Sequence, residues 1–174
     1  MIEMLSQVKE RTGVAKTVFI HTWESIQFCC YYCLYQDEEG EDFSKQQVKN
    51  FNKFVAELNC TLSHDEIMEE GEKLRKIGLD CKKFAVELPF RAKLKMSGLK
   101  KFKFPDVVIV NGNDAIEMFM ILSLVVLRKH YKFTIDRCRD WFEKVKVFSL
   151  NYATGMKDKH VIDYFKMECD LEID

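Results

Sequence analysis

Apolar residues recur at helical intervals along most of this chain. Within Thr17–Gln36, Phe19, Trp23, Ile26, Cys30 and Leu34 fall at i, i+4, i+7, i+11 and i+15, which predicts a long, aromatic-rich helix. Ser44–Leu58 repeats the pattern with Val48, Phe51, Phe54, Val55 and Leu58 on one face. Ser63-His64-Asp65-Glu66 has capping-box spacing, so a third helix opens there and runs to Ile77, with Gly78 suited to the C′ position. Cys81–Leu88 reads as a short helix ending before Pro89. Asn113 or Asp114 caps a helix Ala115–Lys129, and Met118–Leu127 inside it is free of charge, which marks it as the core helix. Thr134 caps Ile135–Tyr152, where Cys138, Trp141, Phe142, Val145 and Phe148 keep helical spacing; Gly155 closes the connection and Asp158 opens a last helix to about Glu168.

The period changes in Arg91–Phe104. Basic and apolar residues alternate there on either side of Ser97-Gly98, the signature of two strands joined by a tight turn. One face carries Ala92, Leu94, Met96, Phe102 and Phe104, and the other is cationic. The β-branched run Val107–Val110, ending at Asn111-Gly112, is a candidate third strand. The expected fold is therefore α+β and predominantly α-helical. About six helices surround a buried helix 115–129, with a small antiparallel β element formed by hairpin 91–104 and strand 107–110. At 174 residues and 47% hydrophobic content the chain has the size of one domain, 1–174.

The formal net charge of -1 averages over strong segregation: Asp37–Asp42 and Asp65–Glu72 are acid-rich, whereas 91–103 is purely basic. The seven cysteines, at 29, 30, 33, 60, 81, 138 and 169, are odd in number and irregularly spaced, and most sit in apolar patterns. With no N-terminal apolar leader pattern, this argues against a secreted disulfide framework and for a reducing cytoplasm. The longest uncharged apolar run, Met118–Leu127, is about half of the roughly 20 residues a membrane helix needs, so no membrane association is expected.

Candidate chemistry is sparse. Cys29-Cys30-x-x-Cys33 invites a metal or redox reading, but no second Cys-x-x-Cys or His pair completes a ligand set, and Phe28, Tyr31, Tyr32 and Tyr35 around it fit core cysteines. His21, His64, His130 and His160 are scattered, and Ser63-His64-Asp65 is better explained as a helix cap than a triad. Asn111-Gly112-Asn113-Asp114, placed between a strand and a helix, is a turn whose amides could receive a phosphate, although Asp114 opposes an anion and the P-loop lysine is missing. No catalytic, metal or cofactor residue is assigned. The strongest signal is two basic groups, Arg91, Lys93, Lys95, Lys100, Lys101 and Lys103 on the hairpin and Arg128, Lys129, Lys132, Arg137 and Arg139 around a helix turn. A lysine-lined edge blocks strand pairing between molecules, an acidic protein surface would pair with it, and nucleic-acid phosphates would bind it in a salt-dependent way.

From Val126 onward the order of features resembles the C-terminal part of small helical proteins of unknown function encoded by phages and mobile elements of Gram-positive bacteria. It runs through Leu127-Arg-Lys-His-Tyr-Lys-Phe133, then Arg137-Cys-Arg-Asp-Trp-Phe142, the Asn151–Gly155 connection and Val161-Ile-Asp-Tyr-Phe-Lys-Met-Glu168. The resemblance implies an origin and carries no activity. The expected function is a cytoplasmic, non-enzymatic binding protein that occupies a surface of a host protein or protein–nucleic-acid complex. An anti-CRISPR-like inhibitor is its most concrete form. The rivals are a nucleic-acid-binding accessory protein using 91–103 and 128–139, and an enzyme whose site is assembled from distant residues.

Overall fold

The computed structural model describes residues 11, 13–35, 43–99 and 105–154. Among them are seven helices and no strand: α1 (Gly13–Tyr35), α2 (Lys45–Thr61), α3 (His64–Lys76), α4 (Cys81–Glu87), α5 (Phe90–Met96), α6 (Pro105–His130) and α7 (Ile135–Thr154). The α+β expectation is overturned. The segment expected as the first strand of a hairpin is α5, and the candidate strand 107–110 is the opening of α6. Ala92 and Met96 satisfy the helical i, i+4 rule as well as strict alternation, so a run this short does not separate the two periods. Val107–Val110 has β-branched composition, but Pro105 stands at the first helical position, where a missing N–H costs nothing. Burial of Val108, Asn111, Gly112 and Ala115 then follows helical spacing. Asn113 and Asp114 lie inside α6 and cap nothing, and the helix expected over 115–129 begins ten residues earlier.

The other helices end where the residue chemistry stops them. Ser44 caps α2 through a capping box with Gln47, and Ser63 caps α3 through one with Glu66. Asp80 accepts from the Lys83 amide at the start of α4, and Thr134 Oγ1 accepts from the Arg137 amide at the start of α7, 3.2 Å away. α3 closes in a Schellman motif: Leu79 N–H donates to Leu74 O and Gly78 N–H to Arg75 O, both at 3.0 Å, with Gly78 at φ 89°. Leu79, fully buried, packs in behind it.

α6 is the axis of the molecule. Helices α1 to α5 all pack on it, while α7 lies mainly across α1 and α5. From Met118 to Leu127 every side chain of α6 is buried, although by length and composition alone the helix is apolar enough to cross a membrane. Aromatic pairs join it to α1 and join the surrounding helices to one another. Trp23 of α1 meets Phe119 edge-on at 5.2 Å, Tyr31 meets Phe51 of α2 edge-on at 5.6 Å, and Phe84 of α4 meets Phe142 of α7 at 4.9 Å. The acidic loop 37–42, the Gly155 connection and the helix predicted over 158–168 lie outside the described residues.

Candidate partner-binding surface

Among its described residues, Arg91, Lys93 and Lys95, the first basic group does not form a cationic face. α5 turns Ala92, Lys93 and Met96 into the protein and leaves Arg91 and Lys95 exposed. Lys93 is 4% exposed. Its stem packs beside Gly112, where an added Cβ would stand 3.7 Å from Lys93 Cβ, and its amine donates to Val86 O at 3.2 Å at the margin of the core. Burial holds its pKa below the ordinary lysine value. Lys95 donates to the Tyr152 carbonyl and lies 5.1 Å from the centre of that ring, so it ties α5 to the end of α7. Lys100, Lys101 and Lys103 lie outside the described residues.

The second group is displayed at a corner. Arg128, Lys129 and His130 are all exposed in the last turn of α6, where cations also complement the carbonyl end of the helix. Lys132, exposed and at φ 57°, turns the chain toward α7. Arg137 lays its guanidinium 4.0 Å over the buried Phe133 ring, and Arg139 pairs with Asp136 at 3.0 Å. Beside this corner a groove of about 240 Å³ opens between α2 and α6, lined by Phe54, Leu58, Val125 and Val126 with Glu57 and Lys129 at its edges. His130 stacks flat on Phe54, centroids 3.9 Å apart.

Among the described residues the two basic groups are not neighbours. α5 meets α6 at Gly112, and Arg128 follows sixteen residues later, about 24 Å along the axis at the usual helical rise. A single cationic track joining Arg91, Lys93 and Lys95 to Arg128, Lys132 and Arg137 is therefore not formed by the described residues.

The remaining sequence signals are absorbed by the core. Cys29, Cys30 and Cys33 lie on buried positions of α1, with Cys30 Sγ 3.5 Å from Met120 Sδ. Burial pushes the Cys29, Cys30 and Cys81 thiols well up and the Cys138 thiol up to about 11. A raised thiol pKa leaves almost no thiolate at neutral pH, so these cysteines are poor nucleophiles. Among the described residues no group of three or more His, Cys, Asp or Glu side chains is placed to hold a metal. In the native protein near pH 7.5, maleimide should label exposed Cys60 within minutes and Cys29, Cys30, Cys81 and Cys138 at least a hundredfold more slowly, read by peptide mass spectrometry. Equal rates would show that the α1 core opens freely. Asn111 and Asp114, read as part of a strand-to-helix turn, instead lie within α6 and hold Arg11: its Nε donates to Asn111 Oδ1 at 3.1 Å and its guanidinium pairs with Asp114 at 2.7 Å while lying over Phe19.

Sequence reasoning does not find the α2–α6 groove. By its spacing Phe54 is a core residue and His130 a scattered histidine, and only their stacking shows that they frame one opening. The signal available is His130 directly following Arg128-Lys129 at the end of an apolar run. Neither a protein-family model, nor a curated protein, nor a solved structure matches the chain.

Proposed function

We propose that this chain is a non-enzymatic binding protein of phage or mobile-element type that occupies a surface of a host macromolecule through the α6–α7 corner. The observation that carries the reading is the placement of exposed Arg128, Lys129, His130 and Lys132 beside the apolar α2–α6 groove. Helix-end electrostatics accounts for a cation or two there, and falls off within one turn. A cationic rim around an apolar opening suits a protein surface that is itself acidic and apolar, because charge steers the encounter and apolar burial supplies affinity. A single-stranded nucleic acid would instead need open aromatic faces along a continuous basic path. Here Phe54 is covered by His130 and Phe133 by Arg137. Blocking of a defence nucleoprotein complex, in the manner of an anti-CRISPR, is the most specific form of this proposal, and the phage or mobile-element origin rests on the resemblance over 126–168.

The test is affinity capture from a Gram-positive host lysate, with and without nuclease, comparing the parent with Arg128→Glu, Lys129→Glu and Lys132→Glu combined. Circular dichroism and melting temperature serve as fold controls. The expected result is one captured host protein, unaffected by nuclease and reduced at least tenfold by the triple variant at physiological salt. Capture that the variant leaves intact removes the corner from the interface. Capture lost on nuclease treatment, with steeply salt-dependent binding of naked nucleic acid, would transfer the function to nucleic-acid binding.

A further inference from the structure

The groove beside the basic corner has two unlike ends. The helices that flank it run antiparallel: Tyr131, just past the end of α6, donates its hydroxyl to the Gln47 carbonyl near the start of α2, and His130 stacks on Phe54 two turns further along α2. Phe54, Leu58 and Thr61 stand at i, i+4 and i+7 on the α2 wall, a stripe about 10 Å long. Val125 and Val126, 4% and 1% exposed, line the α6 side. Charge gathers at the Phe54 end. Arg128, Lys129 and Lys132 are exposed there and, among the described residues, enter no ion pair, whereas Glu57 pairs with Lys53 at 3.8 Å. The carbonyl end of α6 offsets only about half a charge, so three cations leave this end strongly positive.

Resting on the binding role proposed above, we infer that the partner's contacting element is an acidic amphipathic α-helix, whose apolar face lies in this groove and whose carboxylates meet Arg128 and Lys129. Backbone chemistry selects a helix. Both walls are helices that bond their backbone groups internally, and the one wall hydroxyl, Thr61 Oγ1, donates to the Leu58 carbonyl at 3.1 Å. An extended segment would bury N–H and C=O groups against walls that offer them no partner, whereas a helix satisfies its own backbone and brings only side chains. Size argues against a small molecule. The groove's 240 Å³ is below the roughly 300–1,000 Å³ of pockets that enclose one. A wall two turns long takes apolar side chains one turn apart, at i and i+3 or i and i+4. Charge then fixes the sign, because carboxylates flanking those anchors meet the cations at the Phe54 end and a basic helix is repelled there.

The probe is a blocked peptide of about 15 residues, with leucines at i, i+4 and i+7 on one face and glutamates flanking them. It is titrated into the full chain while the methyl NMR signals of Leu58, Val125 and Val126 are followed. These methyls should shift to saturation, and exchanging the glutamates for lysines should weaken binding at least tenfold. A proline at the centre of the peptide, which breaks the helix and keeps the charge, should do the same. On the protein side, Lys129→Glu should weaken binding and Glu57→Lys should tighten it, each severalfold, both positions being exposed. Equal binding of the proline peptide would overturn the helix, and equal binding of the lysine peptide would overturn the acidic partner. No shift at the three residues would refute the inference outright. So would the same shifts produced by an oligothymidylate, or shifts that grow with protein concentration in the absence of peptide, which would assign the groove to nucleic acid or to a second copy. The two proposals fail separately. Saturable methyl shifts with no captured host protein would count against the proposed function alone, and capture abolished by the corner variant with no methyl shift would count against the helix alone.

Discussion

Phe119→Ala should cost about 3–5 kcal/mol of folding stability, the range for removing a fully enclosed aromatic ring. Phe119 lies at the centre of α6 with no exposed surface, edge-on to Trp23 at 5.2 Å and 6.0 Å from Tyr31. Removing the ring takes away its transfer free energy and leaves α1 facing a void, because two bulky aromatics on a helix held along its whole length have little room to collapse. A domain of this size is typically stable by only about 5–15 kcal/mol, so the variant should lose about a fifth of its margin or more. Urea unfolding followed by circular dichroism measures it. Val110→Ala on the same helix is the control, since Val110 is 57% exposed and should change stability by no more than about 0.5 kcal/mol. A loss below about 1 kcal/mol at Phe119, or equal losses at both positions, would mean that α6 is not the axis on which the other helices pack.

That axis is legible in the residues alone, because ten consecutive uncharged side chains from Met118 to Leu127 leave a helix no solvated face. Element boundaries are legible wherever a side chain satisfies a backbone group locally: Ser44, Ser63 with Glu66, Gly78 and Thr134 each act within four residues of themselves. The first arm of the expected hairpin fails because 91–96 is a pattern of six residues, too short for a period of 2 to be told from one of 3.6. Leu94 is the discriminating residue, fully inward in a strand and only half-buried in α5. Lys93 is its counterpart, outward in a strand and inward in the helix. The same ambiguity decides the candidate surface. Which residues are basic is a property of the sequence, but which basic residues meet water depends on the period of the element that carries them. The groove beside the basic corner depends on α2 lying against the end of α6, a long-range arrangement that no local pattern encodes.

Reversing charge at Lys93 should therefore destabilise the fold rather than merely disarm a surface. Lys93→Glu is expected to cost about 2–4 kcal/mol, somewhat under the range for a fully enclosed unpaired charge because the amine sits at the core margin. The new carboxylate would face the Val86 carbonyl, an acceptor set against an acceptor, with the Gly112 backbone closing the other side. Arg91→Glu, two residues away and exposed, should change stability by no more than about 0.5 kcal/mol. Lys93→Met separates charge from packing, since it keeps the stem over Gly112 and removes the desolvated amine. The pH dependence gives an independent reading. Because the folded-state pKa of Lys93 lies below its ordinary value of 10.5, the unfolded chain binds more protons between the two values, and this residue's contribution to stability rises with pH across that window. Below it both states are protonated and the full cost of burying the ammonium is present. Cys30 and Tyr31, whose pKa values burial raises, act in the opposite sense at alkaline pH, so the quantity to measure is the difference between the parent and Lys93→Met. That difference should favour the variant at pH 7 and shrink toward pH 10. A constant difference across this range, together with a Lys93→Glu loss under about 1 kcal/mol, would show that the amine reaches water freely and that α5 presents a different face to the core.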